Sequence, residues 1–163
     1  MLPRNSARPL ARPHHCLSVC LSVCCTTASA ALVALFGPAL LTKAGEQPTA
    51  DMLTGKKHIL VYFSAHWCPP CRGYTPALSA AYFQSPKAGK DTAIIFVSSD
   101  NTETEFNEYY RDMSFYALPF REYATMTKLN DAYGVRGIPS LVLLDGDGKL
   151  VEKNIIGRHG EFL

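Results

Sequence analysis

The run His58-Ile59-Leu60-Val61-Tyr62-Phe63 is short, β-prone and apolar at consecutive positions, and it is bounded by Gly55-Lys56-Lys57 and Ser64. Such a run reads as a central strand buried on both faces. Thr92-Ala93-Ile94-Ile95-Phe96-Val97-Ser98 repeats the pattern. Between the two, Arg72 to Phe83 carries Tyr74, Ala77, Leu78, Ala81 and Tyr82 at helical spacing. Pro76 lies inside that helix and is expected to kink it, because it has no N–H for the i to i−4 bond. Asp100, three residues ahead of Glu103, reads as a capping box opening a helix that runs to Asp112. Another helix is expected from Thr125 to Tyr133. Leu141 to Leu144 and Lys149 to Ile156 then read as two strands joined by Asp145-Gly146-Asp147-Gly148, a hairpin turn that lacks the terminal Glu of a calcium loop. The alternation of strand and helix predicts an α/β fold with a parallel core, and the closing hairpin adds an antiparallel edge. A mixed central sheet flanked by helices results.

With 163 residues, 47% of them apolar, the chain suffices for one domain with its own core. Charge divides it in two. Arg4, Arg8, Arg12 and Lys43 precede the first acidic residue, Glu46, so the remainder carries twelve basic against fourteen acidic side chains. No clustered basic face is available there for nucleic acid. No residue from Cys16 to Thr42 is charged, and residues 1–34 read as a leader: a secretory signal, a mitochondrial transit peptide, a membrane anchor or a disordered segment. Membrane contact, if any, is assigned to this leader alone, and it leaves the compartment open. The domain is expected over 35–163, after an irregular lead-in through Gly45 to Thr54. Cys16, Cys20, Cys24 and Cys25 lie in the leader, leaving Cys68 and Cys71 in the body. Two body cysteines cannot make a disulfide-stapled scaffold.

Cys68-Pro69-Pro70-Cys71 lies between a buried strand and a helix. The first sulfur falls at the helix N-terminus, where free N–H groups and the dipole favour a thiolate, so Cys68 is the expected nucleophile. Cys71, one turn on, is placed to resolve a mixed disulfide. Pro69 and Pro70 stiffen the turn and remove two donors from near the sulfurs. Trp67, the only tryptophan, reads either as a plate beside the nucleophile or as a core aromatic. Arg72 is a permanent cation that could attract an anionic substrate or steady the thiolate, or simply be solvated. His66 is a candidate proton carrier or a spectator. A zinc site using Cys68, Cys71 and His66 or His58 lacks the second ligand pair that such sites carry, which favours redox chemistry. No metal or organic cofactor is implied.

The stretch from Tyr62 through Trp67-Cys68-Pro69-Pro70-Cys71-Arg72 to Pro76 resembles the active-site segment of the tryparedoxin and nucleoredoxin branch of the thioredoxin superfamily. Further likeness lies in Val97-Ser98-Ser99-Asp100, Ala117-Leu118-Pro119-Phe120 and Gly137-Ile138-Pro139-Ser140. The resemblance implies a thioredoxin-like fold. It makes Pro139 a cis-proline facing the cysteines, with the Ile138 backbone binding an extended substrate. It also implies reduction of protein disulfides, with an upstream dithiol as donor and disulfide proteins such as peroxiredoxins downstream. A redox-regulated binding module without turnover is the alternative, and an oxidase or isomerase a third reading if the leader is secretory. Three departures stand out. Ser114-Phe115-Tyr116 replaces the Pro-Trp-Leu usual in the branch. Tyr62 stands where thioredoxins keep a buried Asp, though tyrosine is usual in this branch. The chain stops at Leu163, before the family's C-terminal covering element, so the sheet is expected to be partly uncovered.

Overall fold

The computed structural model describes residues 29–163, so the leader reading for positions 1–28 lies outside the described residues. Residues 29–36 form helix α1, which stops at Gly37-Pro38. There follow β1 (Ala39–Thr42), β2 (Gly45–Pro48), α2 (Thr49–Leu53), β3 (His58–Ser64), α3 (Pro69–Gln84), β4 (Thr92–Ser98) and α4 (Glu103–Tyr110). The chain continues through β5 (Tyr116–Ala117), α5 (Tyr123–Tyr133), β6 (Ser140–Asp145), β7 (Leu150–Glu152) and a 3-10 turn at His159–Glu161.

One sheet runs in the order β2-β1-β5-β4-β3-β6-β7. β3 pairs in parallel with β4, from His58 opposite Thr92 to Ser64 opposite Ser98. On its other side it pairs antiparallel with β6, Ile59 facing Leu144. The side-chain period of two explains the unbroken apolar runs. Ile59, Val61 and Phe63 join the core beneath α1, α2 and α5 with Leu32, Phe36, Leu53 and Leu129. Leu60 and Tyr62 join the opposite core with Leu78 and Tyr82 of α3 and Phe106 and Tyr109 of α4. Helices therefore cover both faces of β3 and β4, the parallel centre of a mixed sheet. At the β7 edge Leu150 and Val151 are open to solvent, as are Phe83 of α3 and Tyr123 of α5.

Several local expectations shift. The lead-in forms β2 and α2, because Gly45, at φ 103°, turns the chain so that Thr42 to Ala39 pair with Gly45 to Pro48. Leu32 is fully buried, three residues ahead of the expected domain start at 35. The cap of α4 is Thr102, not Asp100: the Thr102 hydroxyl accepts the Glu105 N–H at 3.2 Å, and the Glu105 carboxylate accepts from Asn101 N–H at 3.1 Å. That helix also ends at Tyr110 rather than Asp112. The hairpin turn forms as read, with the Asp145 carboxylate accepting the N–H groups of Asp147 and Lys149. Gly146 is required there, since a Cβ would lie 2.1 Å from the Lys56 carbonyl oxygen. The last strand closes at Glu152, and Ile155 then rejoins the sheet through its N–H to Leu141 O at 2.8 Å.

Candidate active site

Cys68 caps α3 in an extended conformation (φ −91°, ψ 110°), and Pro69 and Pro70 are the first two helical residues. Prolines fit there because the first N–H groups of a helix have no internal partner. The helix thus starts three residues earlier than the periodicity from Arg72 suggests, and it takes Cys71 into its first turn. The Arg72 N–H is used by the Cys68 carbonyl at 3.1 Å. With the prolines lacking donors, the Cys71 N–H is left as the first-turn amide able to face a sulfur. Cys68 and Cys71 are joined in a disulfide with Cα atoms 5.3 Å apart. Cys71 is completely buried, whereas Cys68 keeps 4% exposure, so an incoming group reaches Cys68 first. Both pack with Ala65 against Ile138. The Cys68 Sγ lies 3.8 Å from the Ile138 carbonyl, and the Ile138-Pro139 peptide is cis.

The loop joining β3 to α3 hangs from the end of β4. His66 N–H donates to Asp100 Oδ1 at 2.6 Å. The other carboxylate oxygen accepts from the Ser98 hydroxyl at 2.7 Å, and the Asp100 N–H returns a bond to Ser98 Oγ at 2.9 Å. Trp67 donates its indole N–H to Ser99 O at 3.0 Å while 52% of the residue stays exposed. This excludes the core-aromatic reading and leaves the ring exposed at the position that precedes Cys68. Burial pushes the Asp100 carboxyl above its ordinary value, against the opposing pull of the Ser98 and His66 hydrogen bonds. The His66 ring lies on Tyr109, with centroids 5.7 Å apart. His58, at the far end of β3, packs at a tilt against Phe162 and is remote from the cysteines.

Behind Cys71 four buried hydroxyls form a chain whose donors can be assigned. Thr75 Oγ1 donates to Cys71 O at 3.0 Å. It therefore accepts from Tyr62 OH at 2.8 Å and from Tyr109 OH at 2.5 Å. Tyr109 in turn accepts from Ser64 Oγ at 2.9 Å. Every hydroxyl hydrogen is used. Burial holds the Tyr62 phenol well above its ordinary value, so it stays a neutral donor and no base. Thr75, Ser64 and the Asp100 anchor escaped sequence reasoning. Only the hydroxyl-bearing residues at alternating positions of β3 hinted at them.

Arg72 is exposed and makes no ion pair among the described residues. It lines a cavity of about 390 Å³ between α3 and α4, together with His66, Tyr109, Arg111 and the carboxylates Glu108 and Asp112. Pro76, in the same wall, leaves the Arg72 carbonyl without its helical donor.

The thioredoxin-like family model matches residues 55–150. Mouse nucleoredoxin is 42% identical over 117 residues, which cover 72% of this chain and 26% of that protein. The chain thus spans about a quarter of the nucleoredoxin's length. Tryparedoxin from Trypanosoma brucei brucei is 38% identical over 108 residues, 66% of this chain and 73% of that one. A solved tryparedoxin II complexed with glutathionylspermidine superposes with a TM-score of 0.69 at 31% identity, over 76% of this chain and 86% of the other. Fold, cysteine placement and these matches agree: the chain belongs to the thioredoxin-like family, in its tryparedoxin and nucleoredoxin branch.

Proposed function

We propose that this chain is a thiol–disulfide oxidoreductase that reduces protein disulfides, with Cys68 as nucleophile and Cys71 as resolving thiol. In the reduced form the Cys68 thiolate attacks one sulfur of a substrate disulfide. That S–S bond breaks, the displaced sulfur leaves as a thiolate and takes a proton, and a mixed disulfide joins Cys68 to the substrate. Cys71 loses its proton and attacks Cys68 Sγ, which expels the second substrate thiolate. Two electrons have passed to the substrate, and the Cys68–Cys71 disulfide remains. An upstream dithiol reverses both steps and restores the reduced pair. The observation that carries the reading is the asymmetry of the pair: Cys68 reachable at the cap of α3, Cys71 sealed one turn on.

The surroundings support roles for the neighbouring residues. The exposed Trp67 ring and the Ile138-Pro139 segment flank Cys68, as suits an extended peptide laid across the sulfur. Pro69 and Pro70 fix the approach and limit donors to the Cys71 amide. Arg72, without an ion-pair partner among the described residues, offers its charge to an anionic donor or substrate. The donor is a small dithiol or a reductase, and the acceptors are disulfide proteins such as peroxiredoxins. Cys71→Ser tests the order of attack. It leaves Cys68 free but blocks resolution, so incubation with a disulfide protein is expected to accumulate a covalent complex through Cys68 that dithiothreitol releases. A complex through residue 71 in the reciprocal Cys68→Ser variant, with none through Cys68, would reverse the assignment.

A further inference from the structure

The loop that carries the nucleophile has few bonds of its own. Within it the Cys68 N–H reaches Ala65 O at 3.3 Å, a long contact. Its firm attachments cross to β4: Ser99 N–H to Ser64 O at 2.9 Å, Trp67 indole to Ser99 O, and His66 N–H to the Asp100 carboxylate at 2.6 Å. The parallel register explains the geometry, because Ser64 and Ser98 end their strands level with each other. Asp100 is the one side chain in this set that bonds the loop backbone directly. Its carboxylate is held by Ser98 on the other oxygen, so it cannot swing away without also breaking that bond, and the Asp100 N–H keeps Ser98 Oγ in place.

We propose that Asp100 is a positioning residue for the nucleophile: through His66 N–H it holds the Trp67-Cys68 segment against the end of β4, and so sets where Cys68 Sγ meets a substrate sulfur. The inference rests on the reading of Cys68 as nucleophile and deepens it. Asp100 touches no reacting atom. What the site uses is the hydrogen-bond acceptor, not the negative charge, so asparagine satisfies it: Oδ1 still accepts from His66, and the amide donates to Ser98 Oγ, which can accept.

Wild type, Asp100→Ala, Asp100→Asn and Ser98→Ala are compared by disulfide turnover, by the pH profile of Cys68 alkylation with iodoacetamide in the reduced protein, by Trp67 emission and by unfolding midpoint. Asp100→Ala is expected to lower turnover about tenfold, as a misplaced nucleophile does, with a red-shifted emission and a moved alkylation profile. Asp100→Asn restores all three to within about twofold. Ser98→Ala, which keeps Asp100 but frees its carboxylate, moves them in the same direction by about threefold and serves if the alanine variant does not fold. Wild-type emission and alkylation in Asp100→Ala or Ser98→Ala would overturn the proposal. So would an asparagine variant as impaired as alanine. If the wild type itself turns over no disulfide, the reductase reading fails, while emission and alkylation still report on the loop.

Discussion

Thr75→Val keeps the shape of a buried side chain but removes the atom on which Tyr62 and Tyr109 both depend. Leaving buried donors without acceptors costs about 1–3 kcal/mol each, so the variant is expected to lose about 2 kcal/mol or more in urea unfolding. Tyr62→Phe removes only a terminal donor and leaves Thr75 bonded to Tyr109, so a loss of about 1 kcal/mol is expected. Equal losses would show that Thr75 is no hub. At this scale the sequence disclosed the cysteines, the two prolines between them and Trp67, because their chemistry is local to one turn. It did not disclose Thr75, whose partners arrive from β3 and α4, nor Asp100, whose spacing from Glu103 imitates a helix cap. The competing cap at Thr102 prevailed because Asp100 is already engaged with His66 and Ser98.

Between elements, the end of the chain is tied to α3 and β3 by titratable groups. Tyr74 OH bonds His159 Nδ1 at 2.7 Å, and the His58 ring packs at a tilt against Phe162. Burial lowers both imidazoles below their ordinary 6.5. The unfolded chain therefore takes up these protons first, and the stability they confer is complete above 6.5 and lost as pH falls through the window beneath it. Asp100, raised by burial, acts in the opposite sense and at lower pH, its contribution declining as pH rises from its ordinary 3.8. The unfolding midpoint is expected to drop between about pH 7 and about pH 5, and a His58→Gln/His159→Gln variant to drop less. An equal drop would remove the imidazoles from the account. Among elements, β3, β4, β6, α3 and α5 were legible from period and bounding turns. β2 and α2 were not, since a polar edge strand of four residues carries no hydrophobic alternation.

The described residues form a three-layer sandwich in which α1, α2 and α5 cover one face and α3 and α4 the other. Its mixed sheet was legible from the order of elements, whereas the contribution of α1 was hidden by the uncharged composition of its surroundings, which resembles a targeting segment. Leu32 is fully buried with Phe36 and Leu53, so Leu32→Ala is expected to cost about 2–5 kcal/mol in denaturant unfolding. No measurable loss would place α1 outside the cooperative unit. The three layers present the Cys68–Cys71 disulfide at one end of β3, and its chemistry is measured by equilibrating Cys68 and Cys71 with a glutathione buffer and following insulin reduction by wild type and Cys68→Ser. A potential near thioredoxin's value of about −270 mV, with turnover abolished in the variant, is the expected result. A potential near about −180 mV would contradict a reductase in favour of an oxidising partner, and a reversible disulfide without turnover would make the chain a redox-regulated binding module.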